Sequence, residues 1–264
     1  MLPRLQLFGI NIAMYGLMIL IGTFVGISIA VLRGKKYNLG RDDIMFSSCY
    51  AGIGLIVGAK LLFIITIIPS LFTNGELYFS DHKLFLSVLF TGFVFYGGLI
   101  GAFIGYYIYC RQFHIPFIAM LDLITPSIPL IHAFGRIGCF FAGCCYGITY
   151  HGAFHVIFHQ SISAPNGVPL LPIQLIESGI NLLVSIGLFI SSKRLRKPGQ
   201  IFGIYIIYYA IMRFVIEFYR GDVARGIFFG FSTSQWISLI LIPIGLWCYF
   251  SLSKKAMKDI TTFS

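Results

Sequence analysis

Apolar residues in this chain fall into seven runs of about twenty, the length at which a helix crosses a hydrocarbon layer ~30 Å thick. The runs are Phe8–Leu32, Ile44–Ile68, Leu84–Tyr109, Pro116–Phe134, Pro172–Ile190, Gln200–Phe218 and Ser234–Leu252, within a chain of 264 residues. Charged residues make up 11% of the sequence and hydrophobic ones 58%. A soluble domain carries about 25% charge, so a soluble enzyme, a disordered chain and a collagen-like chain are all excluded. Little length is left for a separate soluble domain. One membrane domain over residues 1–264 is predicted, with a mixed insertion at about 135–171. The first run is too long for a signal-peptide core and is followed by its basic cluster, so it reads as a retained helix.

The net charge is +10. The basic residues gather just past the apolar runs, which fits membrane topology and argues against nucleic acid as a partner. With seven spans, Arg33, Lys35, Lys36, Arg41, Arg111, Lys193, Arg194, Arg196, Lys197, Lys254, Lys255 and Lys258 lie on one side, 12 of the 19 Lys and Arg. Arg4, Lys83, Arg136, Arg220 and Arg225 lie on the other. The positive-inside rule then predicts an all-α integral membrane fold of seven transmembrane helices. Its N-terminus is outside, its C-terminus cytoplasmic, and a small extracytoplasmic cap joins helices four and five.

Ionisable residues inside apolar runs are unfavourable in lipid and mark function unless they are paired. Within the runs or at their ends stand Lys60, Asp122, Arg136, Glu177, Arg213 and Glu217. Arg213 and Glu217 are four apart and share a helix face. Arg136, Glu177, Arg213 and Glu217 all fall toward the outer ends of their runs. One reading is a buried ion-pair network that fixes helix register. The other is an anion site, because guanidinium forks hold phosphate in a planar, bidentate way. At that depth the available anion is a phospholipid headgroup. Gly97, Gly101 and Gly105 form a small-residue stripe suited to helix packing. The Gly97–Gly98 pair after Tyr96 would also let backbone approach a ligand. Gly135, Gly138, Gly143 and Gly147 suggest a tight, irregular backbone around Arg136.

Laid out in order, these residues resemble the prolipoprotein diacylglyceryl transferase family. Gly135-Arg136-Ile137-Gly138-Cys139-Phe140-Phe141-Ala142-Gly143-Cys144-Cys145-Tyr146-Gly147 resembles its G-R-x-G-N-F-x-N-x-E-x-x-G signature. Tyr15-Gly16, Gly58-Ala59-Lys60-Leu61, Tyr96-Gly97-Gly98-Leu99-Ile100-Gly101 and Pro172-Ile173-Gln174-Leu175-Ile176-Glu177 resemble further family motifs. So do Arg213-Phe214-Val215-Ile216-Glu217-Phe218-Tyr219-Arg220 and the Gln235/Ser238 pair. In the family pattern a His stands at Tyr96, an Asn at Cys139 and a Glu at Cys144.

The resemblance implies transfer of a diacylglyceryl group from phosphatidylglycerol to the lipobox cysteine thiol of a prolipoprotein, in a multi-pass protein of the bacterial plasma membrane. No cofactor or metal is implied, and a monomer is expected. Arg136 and Arg213 would hold the departing phosphate, with Tyr96 or Cys144 in the acid/base or nucleophilic role. Tyr15, Gly97, Gly98, Cys139, Glu177 and Glu217 would line the substrate site. The replaced His and Glu keep two other readings open: a relative with a different acceptor, and a protein that binds or translocates phospholipid without chemistry. For Cys139, Cys144 and Cys145 a disulfide and a metal site both stay open, although C-x4-CC matches no standard zinc spacing. His151, His155 and His159 fit a helix or a short strand, and Ala164-Pro165-Asn166-Gly167 signals a turn, hence a small hairpin.

Overall fold

The computed structural model describes residues 3–7, 10–73, 92–194, 197–222 and 226–252. The predicted start of the third run, the loop around Asp81 and Lys83, and the basic residues Arg196, Arg225, Lys254, Lys255 and Lys258 lie outside the described residues. Eight α-helices are described: α1 Met14–Arg33, α2 Arg41–Thr73, α3 Phe95–Gln112, α4 Phe117–Ile124, α5 Ser127–Ala142, α6 Ile173–Arg194, α7 Gln200–Glu217 and α8 Thr233–Trp247. Five of the helical stretches among the described residues are long and apolar enough to cross a membrane, and there are six if α4 and α5, bent by 43°, count as one span. The protein is therefore an all-α membrane protein by length and composition. Helix α3 falls outside those six, since its glycines, tyrosines and closing Arg-Gln dilute its apolar character.

The chain divides into two compact units, Gly34–Met120 and the remainder. In the first, α2 packs on α3 through glycines. A Cβ on Gly101 would strike the Gly54 carbonyl, and one on Gly97 would strike the Gly58 carbonyl. Lipid gives no hydrophobic drive to join two helices, so backbone-to-backbone approach supplies the contact instead. Gly101→Ala is expected to lower stability by about 1–3 kcal/mol through overpacking, read as thermal unfolding in detergent. Lys60 in α2 is satisfied within this unit: Nζ donates to the Gly92 carbonyl at 3.2 Å and sits 4.8 Å from the Phe93 ring centre.

In the second unit, the first predicted run opens as a hairpin, β1 Arg4–Leu7 with β2 Ile10–Ala13, before α1 begins. Helix α1 crosses α5 closely. A Cβ on Gly138 would lie 3.0 Å from the Tyr15 Cα, and Ser127 Oγ donates to the Gly26 carbonyl at 2.8 Å. Pro126, which lacks an amide hydrogen, separates α4 from α5 and gives the bend. Asp122, flagged by sequence as a charge in lipid, caps helix α7. Its carboxylate accepts the amides of Gly199 at 2.7 Å and Phe202 at 3.0 Å, at the N-terminus of α7. That end of a helix has spare donors and a positive dipole, which is why a buried carboxylate is stable there.

The insertion is shorter than predicted. Gly135 and Gly138 are helical and α5 runs to Ala142, so non-helical chain begins at Gly143. A helix satisfies its own amides, which favours extending it through apolar surroundings. Between Gly143 and α6 the predicted hairpin forms: β3 Val156–Ile157 pairs with β4 Pro169–Leu170. Gly167 takes a positive φ of 77°, and Asn166 accepts from the Ser161 amide at 3.2 Å. Phe158, Ala164 and Leu170 make its small core. His151, His155 and His159 are exposed on this segment.

Candidate functional site

Helix α5 carries His132 and Arg136 four residues apart, hence on one face. Arg136 donates from Nε to His132 Nε2 at 3.3 Å and pairs with Glu177 of α6 at 2.8 Å. The same Glu177 oxygen is 3.5 Å from His132 Nε2. Glu177 is 1% exposed. Helix α6 is held in register by Ser178, which donates to the Ala133 carbonyl at 3.0 Å, and by Ser185, which donates to the Pro126 carbonyl at 2.7 Å. These hydroxyl bonds replace hydrophobic drive at the helix contact and place Glu177 opposite Arg136.

Arg213 sits in the last turns of α7. It pairs with Glu217 at 2.8 Å and donates to Ser234 Oγ at 2.9 Å. Ser234 is placed by a capping box at the start of α8. The Gln235 amide donates to Ser232 Oγ at 3.3 Å, and the Ser232 amide to Gln235 Oε1 at 2.9 Å. Gln235 of the closing motif thus works through helix capping. His132 bonds Arg136, and its ring centre is 6.2 Å from that of Tyr209, one turn before Arg213.

The end of α5 folds back on itself. Gly143 adopts left-handed backbone (φ 66°), and the Cys144 amide bonds the Cys139 carbonyl at 3.1 Å, the 6→1 bond of a Schellman cap. Cys145 is also left-handed (φ 56°), a conformation that disfavours a residue with a Cβ. The two reversals bring Cys139, Cys144 and Cys145 together, with their sulfurs all within 4.8 Å of one another. All six cysteines are free thiols. Gln174, fully buried, donates to the Cys144 carbonyl at 2.8 Å, while its Oε1 has no hydrogen-bond partner among the described residues.

A second loop backs the cysteines. Gly147 pairs with Arg220, and the Gly221 amide bonds the Tyr146 carbonyl at 3.0 Å. Arg220 forks onto Asp222 at 2.9 and 2.6 Å. Hydrogen bonds from the Cys139 and Cys144 thiols hold the Cys145 thiol below the usual range despite burial, with help from the Arg220 and Arg136 charges. The Cys139 thiol alone would lower Cys144, but the bond to Cys145, burial and the Cys145 charge push it up to about 11.

Of the residues singled out by sequence, Arg136, Cys139, Cys144, Glu177, Arg213 and Glu217 all belong to the second unit, as does Tyr15, whose backbone lies against Gly138. Tyr96, Gly97 and Gly98 belong to the first unit. There Tyr96 is 40% exposed at the start of α3, and Gly97 has a packing task against α2. Sequence reasoning missed His132 as the partner of Arg136, although its i−4 spacing signals it. It also missed Gln174, Ser234, Asp222 and the part taken by Cys145.

A family model described as prolipoprotein diacylglyceryl transferase matches residues 4–251. A Clostridium tetani protein named phosphatidylglycerol–prolipoprotein diacylglyceryl transferase is 39% identical over 244 residues, covering 92% of this chain and 94% of that protein. A Clostridium perfringens protein of the same name, numbered 2, is 32% identical and covers 96% of each chain. A Dehalococcoides mccartyi protein of that name is 34% identical over 94% of this chain and 92% of its own. Nearly the whole length of the chain is matched, the arginine-bearing helices and the cysteine turn included, and the chain belongs to the prolipoprotein diacylglyceryl transferase family.

Proposed function

We propose that this chain transfers the diacylglyceryl group of phosphatidylglycerol to the lipobox cysteine of a prolipoprotein. The observation that carries this reading is the pair of largely buried arginines, Arg136 and Arg213, each set by its own carboxylate, with His132 bonded to Arg136. The acceptor thiolate attacks the glyceryl carbon that bears the phosphate. A C–S bond forms, the C–O bond breaks, and glycerol phosphate leaves with the electron pair. Charge grows on the departing phosphate, and preorganised guanidinium groups stabilise such charge most in a site that excludes water. Glu177 and Glu217 hold the two arginines in place. Tyr15 and Cys139 line the substrate path, and Cys144 stands where the family pattern has Glu, as Tyr96 stands where it has His.

In this reading the protein is a monomer in the bacterial plasma membrane with seven spans. Its N-terminus and the 143–171 cap are outside, and the cap covers the lipid site. Excess Lys and Arg in the opposite loops support that orientation. The test is direct. Purified protein is incubated with phosphatidylglycerol and a lipobox peptide, and mass spectrometry is expected to find the diacylglyceryl thioether. Unmodified peptide beside an active control enzyme would overturn the reading. Loss of the family His and Glu favours one rival, a protein that binds phospholipid without chemistry. Lipid retained unaltered in that assay would support it.

A further inference from the structure

The transferase reading leaves one requirement unmet, a means of making the acceptor thiolate, since the family His and Glu are absent. Three thiols converge where the family pattern has its Asn and Glu. Their sulfurs lie within 4.8 Å of one another, and no other His, Cys, Asp or Glu joins the set among the described residues. Three thiolates on a tetrahedral zinc at ~2.3 Å would stand about 3.8 Å apart, so small side-chain rotations close the set. We infer that Cys139, Cys144 and Cys145 bind one zinc ion, and that its fourth coordination position takes the acceptor cysteine as thiolate. The inference rests on the transferase reading for its substrate, and on the sulfur geometry for the metal.

Several features support a soft cation here. Thiolates select zinc over magnesium or calcium, and three protein ligands with one open position is the pattern of catalytic zinc. Arg136 and Arg220 lie within electrostatic range of Cys145 and offset the charge of three thiolates. The left-handed backbone at Cys145 is maintained against its steric preference, and such strain persists where surrounding structure enforces it. That backbone lets two consecutive cysteines point into one cluster with Cys139. A zinc-bound thiol is deprotonated outright. Its proton passes to solvent, and the thiolate attacks the glyceryl carbon. The S–C bond forms as the C–O bond breaks, glycerol phosphate departs with the pair, and water replaces the thioether on the metal. Nothing is oxidised or reduced.

The experiment uses full-length protein purified with reductant and without oxygen, stripped by chelator and titrated with cobalt(II). Thiolate-to-cobalt absorption in the near ultraviolet and intense tetrahedral visible bands are expected at one cobalt per chain, displaced by equimolar zinc. Cys145→Ser should weaken binding by at least ~100-fold, since even residues outside the ligand set change metal affinity 10- to 100-fold. A lipobox peptide should shift the visible bands, and its Cys-to-Ser version should leave them unchanged. Absence of thiolate–cobalt absorption in the unaltered protein, or an intact mass showing a disulfide among the three under reductant, would overturn the metal site. Full-rate transfer by metal-free protein would remove zinc from the reaction and leave the transferase standing. Bound cobalt with a peptide-induced shift but no transfer would sink the transferase reading and keep the site.

Discussion

Arg136→Ala is expected to leave no measurable transfer and to lower stability by about 3–5 kcal/mol, the scale for breaking a buried ion pair. The reason lies in Glu177, which is 1% exposed and pairs with Arg136 at 2.8 Å. Without the guanidinium, a carboxylate stays buried beside a histidine. Stability loss alone would reduce activity, so the two effects need separating. The double change Arg136→Gln with Glu177→Gln removes both charges and keeps polar side chains of similar size. Its melting temperature should recover most of the loss, while adduct formation stays undetectable. Normal transfer by the folded double variant would show that phosphate does not depend on Arg136.

Arg213→Lys should behave differently. The charge and the Glu217 partner remain, so unfolding should change little. The planar fork is lost, and with it a donor directed at Ser234 and at the proposed phosphate. Removing one preorganised donor from a developing anion lowers rates by about 10²–10³-fold, and that is the expected fall in the initial rate of thioether formation. An unaltered rate would mean that Arg213 supplies only charge. The pair of variants thus separates a site that needs geometry from one that needs cations.

Much of this site was legible before any coordinates. Arg213 and Glu217 are four apart in an apolar run, so their contact follows from helix period alone. The bounds of α6 and α7 follow from Pro172 and Gly199 at their starts and from Lys193 and Arg194 closing α6. The pairing of Arg136 with Glu177 was legible as a convergence of charges but not as a contact, because it depends on two serine bonds that set helix register. Gly135 and Gly138 looked like loop residues and are helical, since glycine at a close helix crossing and glycine in a turn read the same in sequence. Asp122 looked functional and is a cap, as its partners lie some eighty residues on. The thiol cluster was the least legible feature. It needs a left-handed residue on each side of Cys144, and one of them is a cysteine.

Arg136 does not stand at the end of its helix. Six residues of α5 follow it, through Ala142, which at 1.5 Å per residue is about 9 Å of rise. In the proposed reading, with the end of α5 at the outer face, a lipid held there would sink below its neighbours, or the bilayer would pinch inward around the protein. Short or disordered acyl tails ease such a dimple, and thick, stiff membranes oppose it. In the proposed transferase, membrane thickness would then govern the rate of a reaction at the junction of glyceryl and phosphate.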